Sequence, residues 1–488
     1  MPPTPLLGAL LAAAAGVGLA AVPAPTAAPA PPTAISWAPC RDVVEDWDAG
    51  DARTGCGTVT VPVSYDAPDG RTLDLMVSRR PATSPERRRG VIVTNPGGPG
   101  HPGLSMPATL AGSAVGDLAT DHDLIGFDPR GVHTSEGKEC DLRAGGDLDP
   151  APVSEQDFRR SHAEFAHRNA TCAGADPEFV AGLSTNTVAR DVDAIRQALG
   201  EERISFYGVS WGTALGAVYR SLFDDHVDRM LLDSVITPDF SLREMNDAVP
   251  RAADANLDRF TGWVAGGGHD GLGDTAAEVS ATVHALVREL DATPLVVTTP
   301  DGEQVEIDGG DLRMMLGHPQ RDWPEIAGSV RALRDGELPP LLDPAHGTPG
   351  LGLRDDPRGS RFMQVSVFCN DQGPDPDAGT LWHEHQQRRA ASPLFGWAAG
   401  YENWCAGWPL PAQPWHELTH GDSALQLAGH RHEPVTPYEW AGQMQRRIGG
   451  SLLTVEDDGH GTLSRIPDCG ARAIEFFRHG RTDDGTCG

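Results

Sequence analysis

The sequence is almost without lysine: Lys138 is its only one, and every other basic residue is an arginine. Basic side chains are scarce altogether, 39 against 69 acidic ones, for a formal charge of -30. Nucleic acids and anionic membranes are gripped through a basic face, so this balance argues against both as partners. A membrane-spanning run is missing too. The most apolar stretch, Leu6–Val22, is 17 residues long, short of the roughly 20 a spanning helix needs. No C-x-x-C pair occurs, which removes the usual spacing of structural zinc and thioredoxin-type sites. With 39% hydrophobic and 22% charged residues, wholesale disorder is excluded.

What is present begins with export. Leu6–Val22 is followed by small residues ending in Ala28-Pro29-Ala30, an A-x-A cleavage pattern. Residues 1–30 are therefore expected to be a secretory signal, although Met1–Pro5 carries no Lys or Arg, and the mature chain is expected to be extracellular. The eight cysteines then default to disulfides. Pairing neighbours in sequence gives the simplest set: Cys40–Cys56, Cys140–Cys172, Cys369–Cys405 and Cys469–Cys487. Other connectivities, and buried free thiols, remain open at this point.

The 488 residues suit two to four domains, or one large domain with an insertion. Thr58–Tyr65 and Thr72–Ser78 read as strands around a turn, and Gly90–Thr94 and Leu124–Phe127 as short apolar strands. Thr187–Leu199 has helical spacing and stops at Gly200. Ile204–Tyr207 and Met230–Val235 are strands around a helix at Thr213–Phe223. Strands alternating with helices imply a mostly parallel sheet, hence an α/β protein. From about 240 to 414 the alternation breaks into helical stretches (Ala276–Leu290, Leu381–Ala391) and Gly/Pro-rich loops; strands resume only at Ala424–Ala428 and Ser451–Val455. The expected organisation is a core over 31–240, a mainly helical cap over 241–414, and a segment completing the core over 415–488.

The strongest chemical signal is Gly208-Val209-Ser210-Trp211-Gly212, a G-x-S-x-G pattern with a strand before it and a helix after it. That context makes it a nucleophile elbow that lifts the Ser210 hydroxyl above the sheet. A serine needs an oxyanion hole and a base. Asn95-Pro-Gly-Gly-Pro-Gly100 follows an earlier strand, so the N–H groups of Gly98 and Trp211 are the expected donors. The order Ser, acid, His puts the base late in the chain. His460, between glycines after the last strand, and Glu433, after Ala424–Ala428, fill those places.

NPGGPG (95–100), GFDPRG (126–131), TNTVARDVDAIRQALG (185–200), YGVSWGTALG (207–216), Cys369-Asn-Asp371, CAGWP (405–409), EPVTPYEWA (433–441) and GHG (459–461) are spread over most of the mature chain. This set resembles secreted bacterial tripeptidyl aminopeptidases, in the α/β-hydrolase peptidase group that includes proline iminopeptidases. The resemblance implies a core plus cap, secretion, and release of short peptides from free N-termini; separately, no metal or other cofactor is expected. It also favours the local disulfide pairing. Two departures stand out: the family's usual acid before P-x-T-P is Asp, where this chain has Glu433, and the loop after GGPG continues as His101-Pro102-Gly103 rather than with small residues.

An exopeptidase must hold the substrate's ammonium, and Asp371 is the expected carboxylate; a turn or capping role is its alternative. His416-Glu-Leu-Thr-His420 matches the zinc-peptidase H-E-x-x-H, but Pro411, Pro414, Gly421 and Asp422 leave room for two helical turns at most. His383-Glu-His385 and His430-Arg-His432 read as solvated polar faces, and Gly266–Asp274 as a flexible turn. Two other functions fit the same scaffold: an ester hydrolase, since G-x-S-x-G does not separate esters from amides, and a binding protein with a decayed site.

Overall fold

The structure, a computed structural model, describes residues 34–138, 140, 154–268, 271–299, 302, 304–342, 359–396 and 400–488. The expected signal, residues 1–30, lies outside them. Among the described residues ten strands form the main sheet: β1 (Ala38–Pro39), β2 (Gly55–Pro62), β3 (Thr72–Arg80), β4 (Val91–Asn95), β5 (Asp123–Phe127), β6 (Ile204–Val209), β7 (Val227–Asp233), then β10 (Ala424–His430), β11 (Ser451–Val455) and β12 (Thr486–Cys487). Their spatial order is β1-β2-β3-β5-β4-β6-β7-β10-β11-β12. The first three and β5 pair antiparallel, and from β5 onward every pairing is parallel. β4 and β5 are buried along their whole length, as parallel strands covered on both faces must be. The chain leaves β4 for β5 on one side and returns as β6 on the other. That reversal is where ligands bind in open α/β sheets, beyond the carboxyl ends of the strands. The 95–100 loop and the elbow leave those two ends.

The longer helices are α1 (Glu155–Ala175), α2 (Thr185–Leu199), α3 (Trp211–Phe223), α4 (Leu242–Trp263), α5 (Ala276–Ala292), α6 (Trp323–Arg334), α7 (Arg361–Gln372), α8 (Ala378–Ala391), α9 (Tyr438–Ile448) and α10 (Pro467–His479). α2 shows how sequence sets limits: the Ser184 hydroxyl caps its start through the Thr187 N–H, and Gly200 closes it at φ 71°. α4 through α8 lie between β7 and β10; α4, α5 and α6 contribute to a second apolar cluster that includes Phe260, Val283, Trp323 and Ile326, while α7 buries Phe362, Met363 and Phe368 in the main core. That insertion also holds a hairpin, β8 (Leu295–Thr298) with β9 (Gln304–Ile307), which corrects the expectation that no strands occur there. Four residues a strand give too little alternation to read. α4 escaped the sequence reading because Pro250 sits inside it.

Disulfides join Cys40–Cys56, Cys140–Cys172, Cys369–Cys405 and Cys469–Cys487. The last ties α10 to β12 at the sheet edge. Among the described residues no helix is long and apolar enough to cross a membrane.

Two of the sequence motifs hold each other. Arg130, of GFDPRG, donates two hydrogen bonds to Asp191, of α2, at 2.7 and 2.6 Å, and both side chains are fully buried. Arg130 also serves the carbonyls of Pro62 and Val63, and the Tyr65 hydroxyl donates to Asp191. Removing one member strands the other charge in the core. Arg130→Ala is expected to cost about 3–5 kcal/mol of stability. Urea titration checks this, and the activity of the molecules that remain folded should stay near wild type.

Candidate active site

Ser210 stands between β6 and α3 at φ 58° and ψ -126°, a conformation non-glycine residues rarely adopt. Such strain at a strand-to-helix turn is typical of a positioned nucleophile. The Ser210 N–H donates to the Asp233 carbonyl at 3.0 Å, fixing the turn to the end of β7. Trp211 is the first residue of α3, so its N–H is among those a helix leaves without an intrahelical acceptor. On the facing loop, the Asn95 side-chain oxygen accepts the Gly97 N–H at 3.0 Å. That N–H is therefore spent on shaping the loop, and Gly98 follows at φ 108°.

His460 and Glu433 meet. Nδ1 of His460 bonds to Oε1 of Glu433, which also accepts from the Thr436 N–H and hydroxyl at 3.1 and 2.7 Å. An ionised carboxylate only accepts, so the shared proton belongs to Nδ1, which leaves Nε2 as the basic nitrogen. The Glu433 side chain is fully buried, while that of His460 keeps 34% exposure. Ser234, at φ 56°, completes the support. Its hydroxyl donates to the other Glu433 oxygen and accepts the Gly461 N–H, both at 2.8 Å. Gly461 lies so close to Val209 that a Cβ on it would come within 2.5 Å of Val209 Cγ1. The loop of His460 thus sits directly on Val209, the residue before Ser210. Sequence reasoning missed Ser234, because one serine after a strand carries no signal of its own.

Electrostatics favour the charged pair. Burial pushes the Glu433 carboxyl up, but the charge and hydrogen bond of His460, the charge of His430 and the Thr436 bond outweigh it and hold it below the usual carboxylate range. Burial lowers His460, yet Glu433 and Asp233 together raise it above its ordinary value.

The aspartates beside His460 point away from it. Asp457 turns down to His430 at 2.5 Å and to the Thr462 hydroxyl. Asp458 turns to the insertion, where it accepts from Arg259 of α4 at 3.3 Å and from the Gln320 N–H at 2.9 Å. α4 also reaches the loop of Glu433 through Asn256, which donates to the His432 carbonyl at 2.7 Å.

Asp371 is 5% exposed, and its oxygens accept the Thr185 N–H and hydroxyl at 3.1 and 2.6 Å and the Trp415 indole at 2.8 Å. The Thr185 hydroxyl in turn accepts the Trp211 indole N–H at 3.0 Å, which links Asp371 to the elbow. This geometry gives Asp371 a capping and bracing role. The residue also lines a cleft of about 210 Å³ with Asp239, Phe240, Trp415, Glu417 and Arg447. Burial, only partly offset by the Thr185 and Trp415 bonds, pushes its carboxyl up to about 7.

Two histidine readings need correction. His430 is fully buried between Asp233 and Asp457 rather than solvated, and His385 is 1% exposed, stacked on Trp382 and facing Glu402. Exposure cannot be read from a polar neighbour in sequence when the strand end it occupies is covered from both sides. Residues 416–420 have no helix, so the two histidines of H-E-x-x-H lack the shared face that zinc chemistry needs.

Residues 90–324 match the alpha/beta hydrolase fold family, and residues 392–487 the family described as TAP-like protein. The chain is 32% identical over 484 residues to a tripeptidyl aminopeptidase of Streptomyces lividans, covering 93% of this chain and 86% of that one. It is 28% identical over 463 residues to serine protease Hip1 of Mycobacterium tuberculosis H37Rv, covering 89% and 86%. It is 31% identical over 468 residues to carboxylesterase B of the same organism, covering 91% and 87%. The elbow, the paired histidine and carboxylate, and these similarities agree: the chain belongs to the tripeptidyl aminopeptidase family of serine hydrolases, peptidases built on the α/β-hydrolase fold.

Proposed function

We propose that this protein is a secreted exopeptidase that releases short peptides, tripeptides among them, from free N-termini through an acyl-enzyme. The observation that carries the reading is the Glu433–His460 pair held against the elbow of Ser210. In this reading Ser210 attacks the scissile carbonyl while His460 Nε2 takes its proton. The developing oxyanion is met by the N–H groups of Gly98 and Trp211. His460 then returns the proton to the leaving amine, water hydrolyses the ester, and Glu433 stays ionised throughout, fixing the tautomer and balancing the imidazolium. The helices of 241–414 act as a cap that admits chain ends and excludes folded proteins. Four disulfides support an extracellular site of action.

Asp371 is proposed to hold the substrate's ammonium from the cleft it lines. Its carboxyl is pushed up to about 7, so it gains its charge as pH rises through that value. Peptide amines lose their charge above about 8. Preference for free N-termini is therefore expected to be greatest at about pH 7–8. Acetylating a good peptide substrate should lower kcat/KM by roughly ten- to a hundredfold there, the loss of a charge-assisted hydrogen bond. Asp371→Asn should shrink that gap. Mass spectrometry of the products gives the length released. Equal cleavage of free and acetylated peptides would overturn the exopeptidase reading. Because one relative is named a carboxylesterase, an ester hydrolase is the second reading; it would stand if simple esters turned over and peptides did not.

A further inference from the structure

Behind the catalytic pair lies a second histidine that the reaction as proposed does not use. His430 ends β10, three residues before Glu433, and its side chain is fully buried. Its Nε2 lies 2.7 Å from Asp233 Oδ1 and its Nδ1 lies 2.5 Å from Asp457 Oδ1. Asp233 ends β7 beside Ser234 and also accepts the Tyr207 hydroxyl of β6 at 3.0 Å. Asp457 stands three residues before His460 and also accepts the Thr462 hydroxyl. A carboxylate can only accept, so a histidine bonded to two of them donates from both nitrogens and is an imidazolium.

We propose that His430 is a positioning residue of this site: a permanently charged clamp that holds the Glu433 and His460 loops in register and balances the carboxylates gathered behind them. The inference rests on the Ser210–His460–Glu433 reading. Four strands converge on the clamp: β6 through Tyr207, β7 through Asp233, β10 through His430 itself and β11 through Asp457, two residues beyond its end. The backbone repeats the tie, since the His432 N–H donates to the Asp457 carbonyl at 3.0 Å.

The charge balance has a direction. The groups facing His430 are Asp233 from β7, Glu433 from its own loop, and Asp457 and His460 from the loop after β11; Tyr207 and Thr462 are neutral. Burial lowers the pKa of His430, but Asp233 and Asp457 outweigh it and raise it well above the ordinary value. Its positive charge in turn lowers that of His460, opposing Glu433 and Asp233. Without it, Glu433 and Asp233 would act on the catalytic histidine unopposed by a neighbouring positive charge, hold that histidine protonated to higher pH, and deny Ser210 its base.

The test is a pair of substitutions with opposite signs. His430→Gln removes a positive charge and should move the acidic limb of kcat/KM upward by about one pH unit, with KM changed less than about threefold. Asp457→Asn removes a negative charge and should move the same limb downward. The double variant His430→Gln/Asp457→Asn should return it close to wild type. A purely structural role would lower activity in all three without opposite shifts, and folded variants with an unmoved limb would overturn the proposal. Should His430→Gln fail to fold, ring N–H signals of 15N-histidine-labelled wild type decide. His430 should show two protected ring N–H groups at pH 8, and a single one would overturn the clamp. Loss of fluorophosphonate labelling in Ser210→Ala is the separate check on the triad: persistent labelling and turnover there would sink that reading, whatever the limbs do.

Discussion

Glu433→Gln is expected to lower kcat by about 10²–10⁴ while the protein stays folded. Glutamine keeps the shape and removes the charge. Its amide can still receive a hydrogen bond, but an amide rotated the other way would donate to Nδ1 and stabilise the wrong tautomer. The charge also matters, because Glu433 is the principal group that raises His460 against the opposing effect of burial. Wild-type kcat/KM should therefore fall as pH drops through a value above the ordinary 6.5 of histidine. In Glu433→Gln burial is left in control, and that limb should shift downward. Glu433→Asp should retain far more activity than Glu433→Gln, since it keeps the carboxylate, although the shorter chain must also keep the bonds from Ser234 and Thr436. The measurement is kcat and kcat/KM against pH for the three proteins. Near-wild-type turnover by Glu433→Gln, with Asp457→Asn or Asp458→Asn inactive, would show that a different carboxylate is the acid. The geometry argues otherwise, because Asp457 faces His430 and Asp458 faces Arg259.

The parts of this site that were legible in sequence are those where chemistry and backbone are local. A serine between glycines, after a strand and before a helix, declares its own turn. A histidine just after β11 is placed by chain order. β11 was read to the residue, because SLLTV is a short apolar run between glycines and charges. The parts that were not legible are made across the fold. Asp233, His430 and Asp457 are far apart in the chain, and nothing around His430 in sequence says that it is buried between two carboxylates. Asp371 shows the same limit from the other side. Its acid identity suggested an ammonium partner, but only the fold reveals that Thr185 and Trp415 already occupy its oxygens and that a cleft remains beside it. The family motifs outside the site also change meaning. GFDPRG and TNTVARDVDAIRQALG carry the Arg130–Asp191 pair, which holds the scaffold and takes no part in the proposed reaction.

Gly97→Ala is the second substitution with a large expected effect, and it acts without touching a titratable group. Gly97 has φ 96°, and a Cβ there would lie 2.5 Å from the Val209 carbonyl, 2.8 Å from Ser210 Cβ and 3.1 Å from the Trp211 nitrogen. None of these can yield, because all belong to the elbow. An alanine must therefore push the 95–100 loop off the serine, carrying the Gly98 N–H away from the place proposed for the oxyanion. Loss of one such donor costs about 10²–10³ in kcat. The strain of a left-handed alanine adds about 1–3 kcal/mol to the cost of folding, small enough for the protein to remain folded. Fluorophosphonate labelling of Ser210 should slow in parallel with turnover, since it passes through a similar charged state, while KM should change little. Gly112→Ala is the matched control: its φ is -95°, nothing lies closer than 3.7 Å to the added Cβ, and turnover should be unchanged. A folded Gly97→Ala enzyme within about threefold of wild type would mean that this loop does not supply the oxyanion donor, because the structure leaves an alanine no other way to fit.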